Sequence, residues 1–184
     1  MKRKLISICI LSIFLLTGCL TLGGKKKIAP VTAARPGSGE RILQKERLQK
    51  GGNLLVVPFT AGVQVAATDE LDRTSLMIVK GISETLAAAS TSFKILNDAD
   101  AIKADTLLEG HVLQQKPAAH LNPKKLKRLK KFLKVDGKMT DAKTGEVMIL
   151  FSKVRETTQN SQTFEELGFL LGKDIGQFIL SGAQ

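Results

Sequence analysis

The chain has 184 residues, with 28 Lys and Arg against 17 Asp and Glu, a formal net charge of +11, two Cys, two His, eight Phe and neither Trp nor Tyr. That length supports one domain with a real core, and so few histidines and cysteines argue against a structural zinc site or any metal cofactor. Without Trp or Tyr, aromatic platforms for stacking sugars or bases are poorly stocked.

Lys2, Arg3 and Lys4 precede an uncharged apolar stretch from Leu5 to Leu16. At about 12 residues it falls short of the roughly 20 that span a bilayer, so it reads as a secretory signal. It ends in Leu16-Thr17-Gly18-Cys19, which resembles the bacterial lipobox, where a small residue precedes a cysteine that is lipidated and becomes the new N-terminus. The resemblance implies a signal peptide over residues 1–18 and an acylated, palmitate-bearing Cys19, an anchor far firmer than a single acyl chain. Cys9 leaves with the signal, so the mature chain folds without a disulfide. An aspartate after the lipidated cysteine retains lipoproteins on the inner membrane. Leu20 stands there instead, which implies a cell outer membrane protein facing the periplasm. The signal carries three of the positive charges, leaving +8. A secreted, lipid-anchored chain meets little nucleic acid, so lipid headgroups, anionic glycans and acidic protein faces are the partners its charge suits.

Residues 19–51 read as a lipidated N-terminus and flexible tether: GGKKK and ARPGSG have linker composition, and ERILQKERLQK is a charged stretch with transient helicity. Lys25, Lys26 and Lys27 lie near the lipid, either against headgroup phosphates or in a merely soluble linker. The folded domain is expected over 52–184. LLVVPF is a short buried strand ended by a proline. Asp69 caps a helix to about Ala89 whose one face carries Leu71, Ser75, Ile78, Ile82, Leu86 and Ala89. FKILN is a second strand, Asp98 caps a short helix over ADAIKA, and TLLEGHVLQQ is a third strand. Residues 132–154 form a hairpin turned by AKTG, with Leu133, Val135, Gly137 and Met139 on one side. A helix from about Thr163 to Ile179 closes the chain. The expectation is an α/β single domain with a mixed sheet of about five strands, ordered β-α-β-α-β-β-β-α, and helices packed on it.

Three phrases, LLVVPF, ADTLLEGHV, and VDGKMTDAKTGEVM with GKDIGQFIL after it, together resemble the α/β domain of the curli-secretion channel lipoprotein family. The same domain type occurs in the Pel-export lipoprotein and in lipoprotein activators of penicillin-binding proteins. Over residues 53–182 the resemblance implies a non-enzymatic outer-membrane lipoprotein, an assembly or accessory part of an envelope secretion or polysaccharide-export machine. Its partners would be the membrane, other envelope proteins and further copies of itself as a homo-oligomer. The alternative is a tethered regulator of a peptidoglycan synthase. Curli-type channels insert amphipathic hairpins, but residues 114–131 hold two prolines and a charge cluster and residues 155–162 are short and polar, so no pore is expected.

No nucleophile, base and carboxylate stand together, and no phosphate-binding GxxxxGK[ST] occurs, so an enzyme is not expected. His111, in the third strand, reads as structural, and His120 lies in a loop. Two features remain. Lys124, Lys125, Lys127, Arg128, Lys130, Lys131 and Lys134 crowd one stretch with Leu126, Leu129 and Leu133 between them. They read either as an amphipathic segment for an anionic surface or as a solvated connection whose last residues enter the fourth strand. Gly168, Gly172 and Gly176 recur every fourth residue of the last helix. Each costs about 0.5–1 kcal/mol against alanine, so the row should mark close packing, on the domain's own sheet or on a neighbour.

Overall fold

The structure is a computed structural model that describes residues 39–89, 92–117, 131–157 and 161–184. Within them, seven strands form one mixed sheet: β1 (Arg41–Ile42), β2 (Gly52–Val56), β3 (Thr60–Ala61), β4 (Phe93–Leu96), β5 (Thr106–Pro117), β6 (Lys131–Asp141) and β7 (Val147–Thr157). Their order is β1-β7-β6-β5-β2-β4, with β3 beside β5. β2 runs parallel to both β4 and β5, whereas β5, β6, β7 and β1 pair antiparallel. Three helices accompany them: α1 (Lys45–Lys50), α2 (Asp69–Ala88) and α3 (Phe164–Ala183), and a 3₁₀ helix (Asp98–Lys103) joins β4 to β5.

The α/β class and the mixed sheet match expectation, but the strand number rises from five to seven. The two added strands, β1 and β3, are two residues each. A bridge so short leaves no alternation to read. β1 also falls inside the expected tether, as does α1. Leu48 of α1 is fully buried, and Arg47 reaches Glu146 at 2.6 Å and Asp141 at 3.3 Å. Residues 41–51 therefore belong to the folded domain, because one apolar side chain and one arginine tie this stretch to it. Gly51 ends α1 at φ 66, where a side chain would be strained and would run into Ser92.

α2 begins one residue earlier than the acidic run suggests: Thr68, not Asp69, is the N-cap, its hydroxyl accepting from the Leu71 N–H at 3.2 Å. Asp69, Glu70 and Asp72 then occupy the first turn, where the helix dipole favours negative charge. Its buried face holds Leu71, Ser75, Ile78, Ile82 and Leu86 together with Thr74 and Gly81, while Ala89 lies past the helix end and is exposed. The segment after β4 is a 3₁₀ helix preceded by Asn97, not a helix capped by Asp98. α3 carries a reciprocal capping box between Thr163 and Glu166 and runs four residues beyond the expected end.

The register builds the core in ranks. Leu108, Met139 and Ile149 stand side by side across β5, β6 and β7; Gly110, Gly137 and Phe151 form the next rank, then Val112 and Val135. These side chains meet Leu71, Ile78 and Ile82 of α2 and Leu167, Leu171 and Ile175 of α3 in one buried cluster. A one-residue slip would turn every rank to the other face, so burial itself holds the register.

Candidate functional surface on the uncovered sheet face

Residues that alternate with the core ranks point away from α2 and α3. On β5, β6 and β7 these are Glu109 and His111, Asp136 and Lys138, and Leu150, Ser152 and Val154. Antiparallel sheets commonly leave one face to solvent, normally with polar side chains. Here Leu150 is 38% and Val154 49% exposed.

A groove of ≈ 330 Å³ is cut into this face between two cross-strand rows. One row is Thr60, His111, Asp136 and Ser152, in register across β3, β5, β6 and β7. The other is Glu109, Lys138 and Leu150. Val57 and Pro58, at the end of β2, close the rim. The floor is backbone, because Gly110 and Gly137 oppose each other there. A Cβ on either would point to the far side and strike the rings of Phe59 and Phe151, which lie 6.3 Å apart. Two glycines at paired positions thus let two aromatic rings press against the sheet from the core side.

The polar walls are mostly self-satisfied. Lys138 pairs with Glu109 at 3.0 Å, and the Thr60 hydroxyl shares a 2.8 Å hydrogen bond with His111 Nδ1. Asp136 is the exception: its Oδ1 is enclosed and has no hydrogen-bond partner. Thr60, His111 and Asp136 therefore stand in one row without forming a hydroxyl–imidazole–carboxylate relay, which needs the carboxylate to hold the ring. Among the described residues, no three His, Cys, Asp or Glu side chains converge as metal ligands would. The arrangement can receive a shape and supply paired charge.

His111 was legible as a residue of the third strand, but its partner was not, since Thr60 is 51 positions away. The glycine row packs within the domain, though not on the sheet. A Cβ on Gly168 would come within 2.7 Å of the Thr74 carbonyl oxygen, one on Gly172 would strike the Ile78 carbonyl, and one on Gly176 would lie 2.7 Å from the Thr85 Cβ. The partner is α2, which runs parallel to α3 and offers Gly81 at the same crossing. Gly81 carries no such signal in the sequence, because a single glycine in a helix has no period. Of the basic cluster, Lys124, Lys125, Lys127, Arg128 and Lys130 lie outside the described residues, as do Cys19 and His120. Lys131 and Lys134 belong to β6: Lys131 donates to the Gln162 carbonyl at 2.6 Å, and Lys134 stands half-exposed opposite Val154.

No family model and no curated protein matches the sequence. Solved structures do. The PelC dodecamer from Paraburkholderia phytofirmans aligns with a TM-score of 0.51 at 14% identity, over 77% of this chain and 92% of that one. Protein XCC0632 from Xanthomonas campestris aligns with a TM-score of 0.51 at 11% identity, over 73% and 87% of the two chains. Lipoprotein GNA1162 from Neisseria meningitidis reaches 0.47 at 12% identity, over 68% and 96%, a likeness too distant to carry an argument. At these identities what is shared is the fold.

Proposed function

We propose that this chain is a non-enzymatic outer-membrane lipoprotein whose periplasmic domain is an assembly component of an envelope secretion or polysaccharide-export machine. The observation that carries the reading is the fold shared with PelC, a protein that forms a dodecamer. One feature agrees with it: Leu16-Thr17-Gly18-Cys19 follows a charged and apolar leader, which suits a lipid anchor.

Two measurements test it. Labelled palmitate should enter the wild-type chain and not Cys19→Ser; equal labelling of both removes the anchor. The full-length protein extracted in mild detergent should sediment as a large homo-oligomer. A monomer that copurifies with a peptidoglycan synthase would replace the export reading with the regulatory one.

A further inference from the structure

Among the described residues seven large hydrophobic side chains are exposed. Val63, Leu76 and Ile102 stand singly, on the loop before α2, on α2 itself and on the 3₁₀ helix. The other four, Ile42, Leu43, Leu150 and Val154, are 38 to 51% exposed and lie together at one edge of the sheet. They flank both sides of that edge. Ile42 lies on the helix side, where a Cβ on Gly182 of α3 would come within 2.8 Å of its Cδ1. Leu150 and Val154 face the uncovered side, on β7, which β1 pairs only over Ile149 and Leu150. Single exposed apolar residues are ordinary, whereas a cluster rimmed by polar groups marks a contact surface.

The same edge is where the chain enters the domain. Gly39 lies so close to Ser152 that a Cβ there would strike it, and Glu40 is paired with Lys153. Leu150 and Val154 are the next residues on either side of Ser152 along that face of β7. Residues 20–38 separate Gly39 from Cys19, a length that reaches at most about 70 Å. With an anchor at Cys19, this edge is the part of the domain whose distance from the lipid is most tightly limited.

Charge gives the edge no preference of its own. Arg41 and Lys45 are exposed, but so is Glu46, and the exposed Glu40 is committed to Lys153. What the edge offers is aliphatic surface, together with the free backbone groups of a strand that has a neighbour on one side only. The headgroup layer of a bilayer suits both, since it admits apolar side chains while water and phosphate still reach the backbone. So few aliphatic side chains make a weak contact alone. A short tether raises the effective concentration to roughly millimolar, at which a weak contact suffices.

Resting on the lipid anchor of the reading above, we propose that the domain lies edge-on against the phospholipid bilayer that holds Cys19, with Ile42, Leu43, Leu150 and Val154 in its headgroup layer. The β4 edge, at the other end of the strand order, points away from the lipid. This contact is separate from the basic segment, because it needs no anionic lipid.

The test uses the full-length chain, produced with its leader and reconstituted in phosphatidylcholine vesicles that carry a nitroxide on the headgroup. A fluorophore is attached at Leu43→Cys or, beside β4, at Ile102→Cys. Quenching should be several-fold stronger at position 43 than at position 102. Leu150→Asp together with Val154→Asp should abolish that difference without lowering the melting temperature. A difference seen only with anionic phosphatidylglycerol assigns the contact to cations and overturns the apolar edge. Equal quenching at both positions, in protein that incorporates labelled palmitate, overturns the edge contact and spares the anchor. Shielding of position 43 that grows with the protein-to-lipid ratio gives the edge to a second copy and overturns the lipid contact. A chain that takes up no palmitate overturns the anchor and this proposal together.

Discussion

Gly172 lies against Gly81, and a Cβ built on either would come within 3.1 Å of the other's Cα. The backbones of α2 and α3 therefore touch along a parallel crossing, with Gly168 and Gly176 continuing the contact toward Thr74 and Thr85. Close approach along an i±4 row recovers in dispersion contact what the glycines lose in helix propensity.

Gly172→Leu should accordingly destabilise the domain. Better helix propensity returns up to about 1 kcal/mol, but the new side chain meets the Ile78 carbonyl and Gly81, backbone that cannot yield cheaply. Overpacking of this kind costs about 1–3 kcal/mol or more, which at this size lowers the melting temperature by several degrees. Thermal unfolding followed by circular dichroism checks it; an unchanged melt would show that the two helices can separate freely.

Asp136→Thr should raise stability. The enclosed, unpartnered Oδ1 is a standing cost of about 1–3 kcal/mol, and threonine suits a strand better than aspartate. Denaturant titration should show a higher midpoint at an unchanged slope. A lower midpoint would mean that the carboxylate has a donor in solution.

Stability should fall in acid, with Asp105 contributing visibly. The Asn53 N–H first, and Lys143 second, hold its carboxyl below the usual carboxylate range, and Arg73 does the same for Glu165. A depressed folded-state pKa adds stability above the unfolded value of about 3.9 and loses it as pH falls through the folded one. Between pH 7 and pH 2 the wild type should thus lose more stability than Asp105→Asn does. Equal losses would show that the Asn53 and Lys143 contacts do not favour the charged form.

Replacing Lys124, Lys125, Lys127 and Lys130 by glutamine tests the basic segment. If it meets an anionic surface, binding of the full-length chain to anionic vesicles should weaken, most strongly at low ionic strength, where screening is weak and the attraction reaches further. Binding untouched at low salt would leave a solvated connection.

Legibility followed locality. The 3.6-residue apolar period over Leu71–Leu86, the alternation of Leu133, Val135 and Met139, and the four-residue glycine spacing of α3 are each contained in one short stretch. They determined α2, the β6–β7 hairpin and α3 before any partner was known, because each pattern states which side of its own element avoids water. The α/β class follows from their order.

What only the tertiary structure decided is which surfaces meet. A glycine row says that something comes close, but whether that is a sheet, a helix or another molecule depends on where α2 lies, and Gly81 is 91 positions before Gly172. Thr60 finds His111, Arg47 finds Glu146, and Gly110 opposes Gly137 through tertiary contacts that no local period encodes. The groove arises the same way: it is made of side chains that each look ordinary in their own strand and gain a common chemistry only when the register places them in one row.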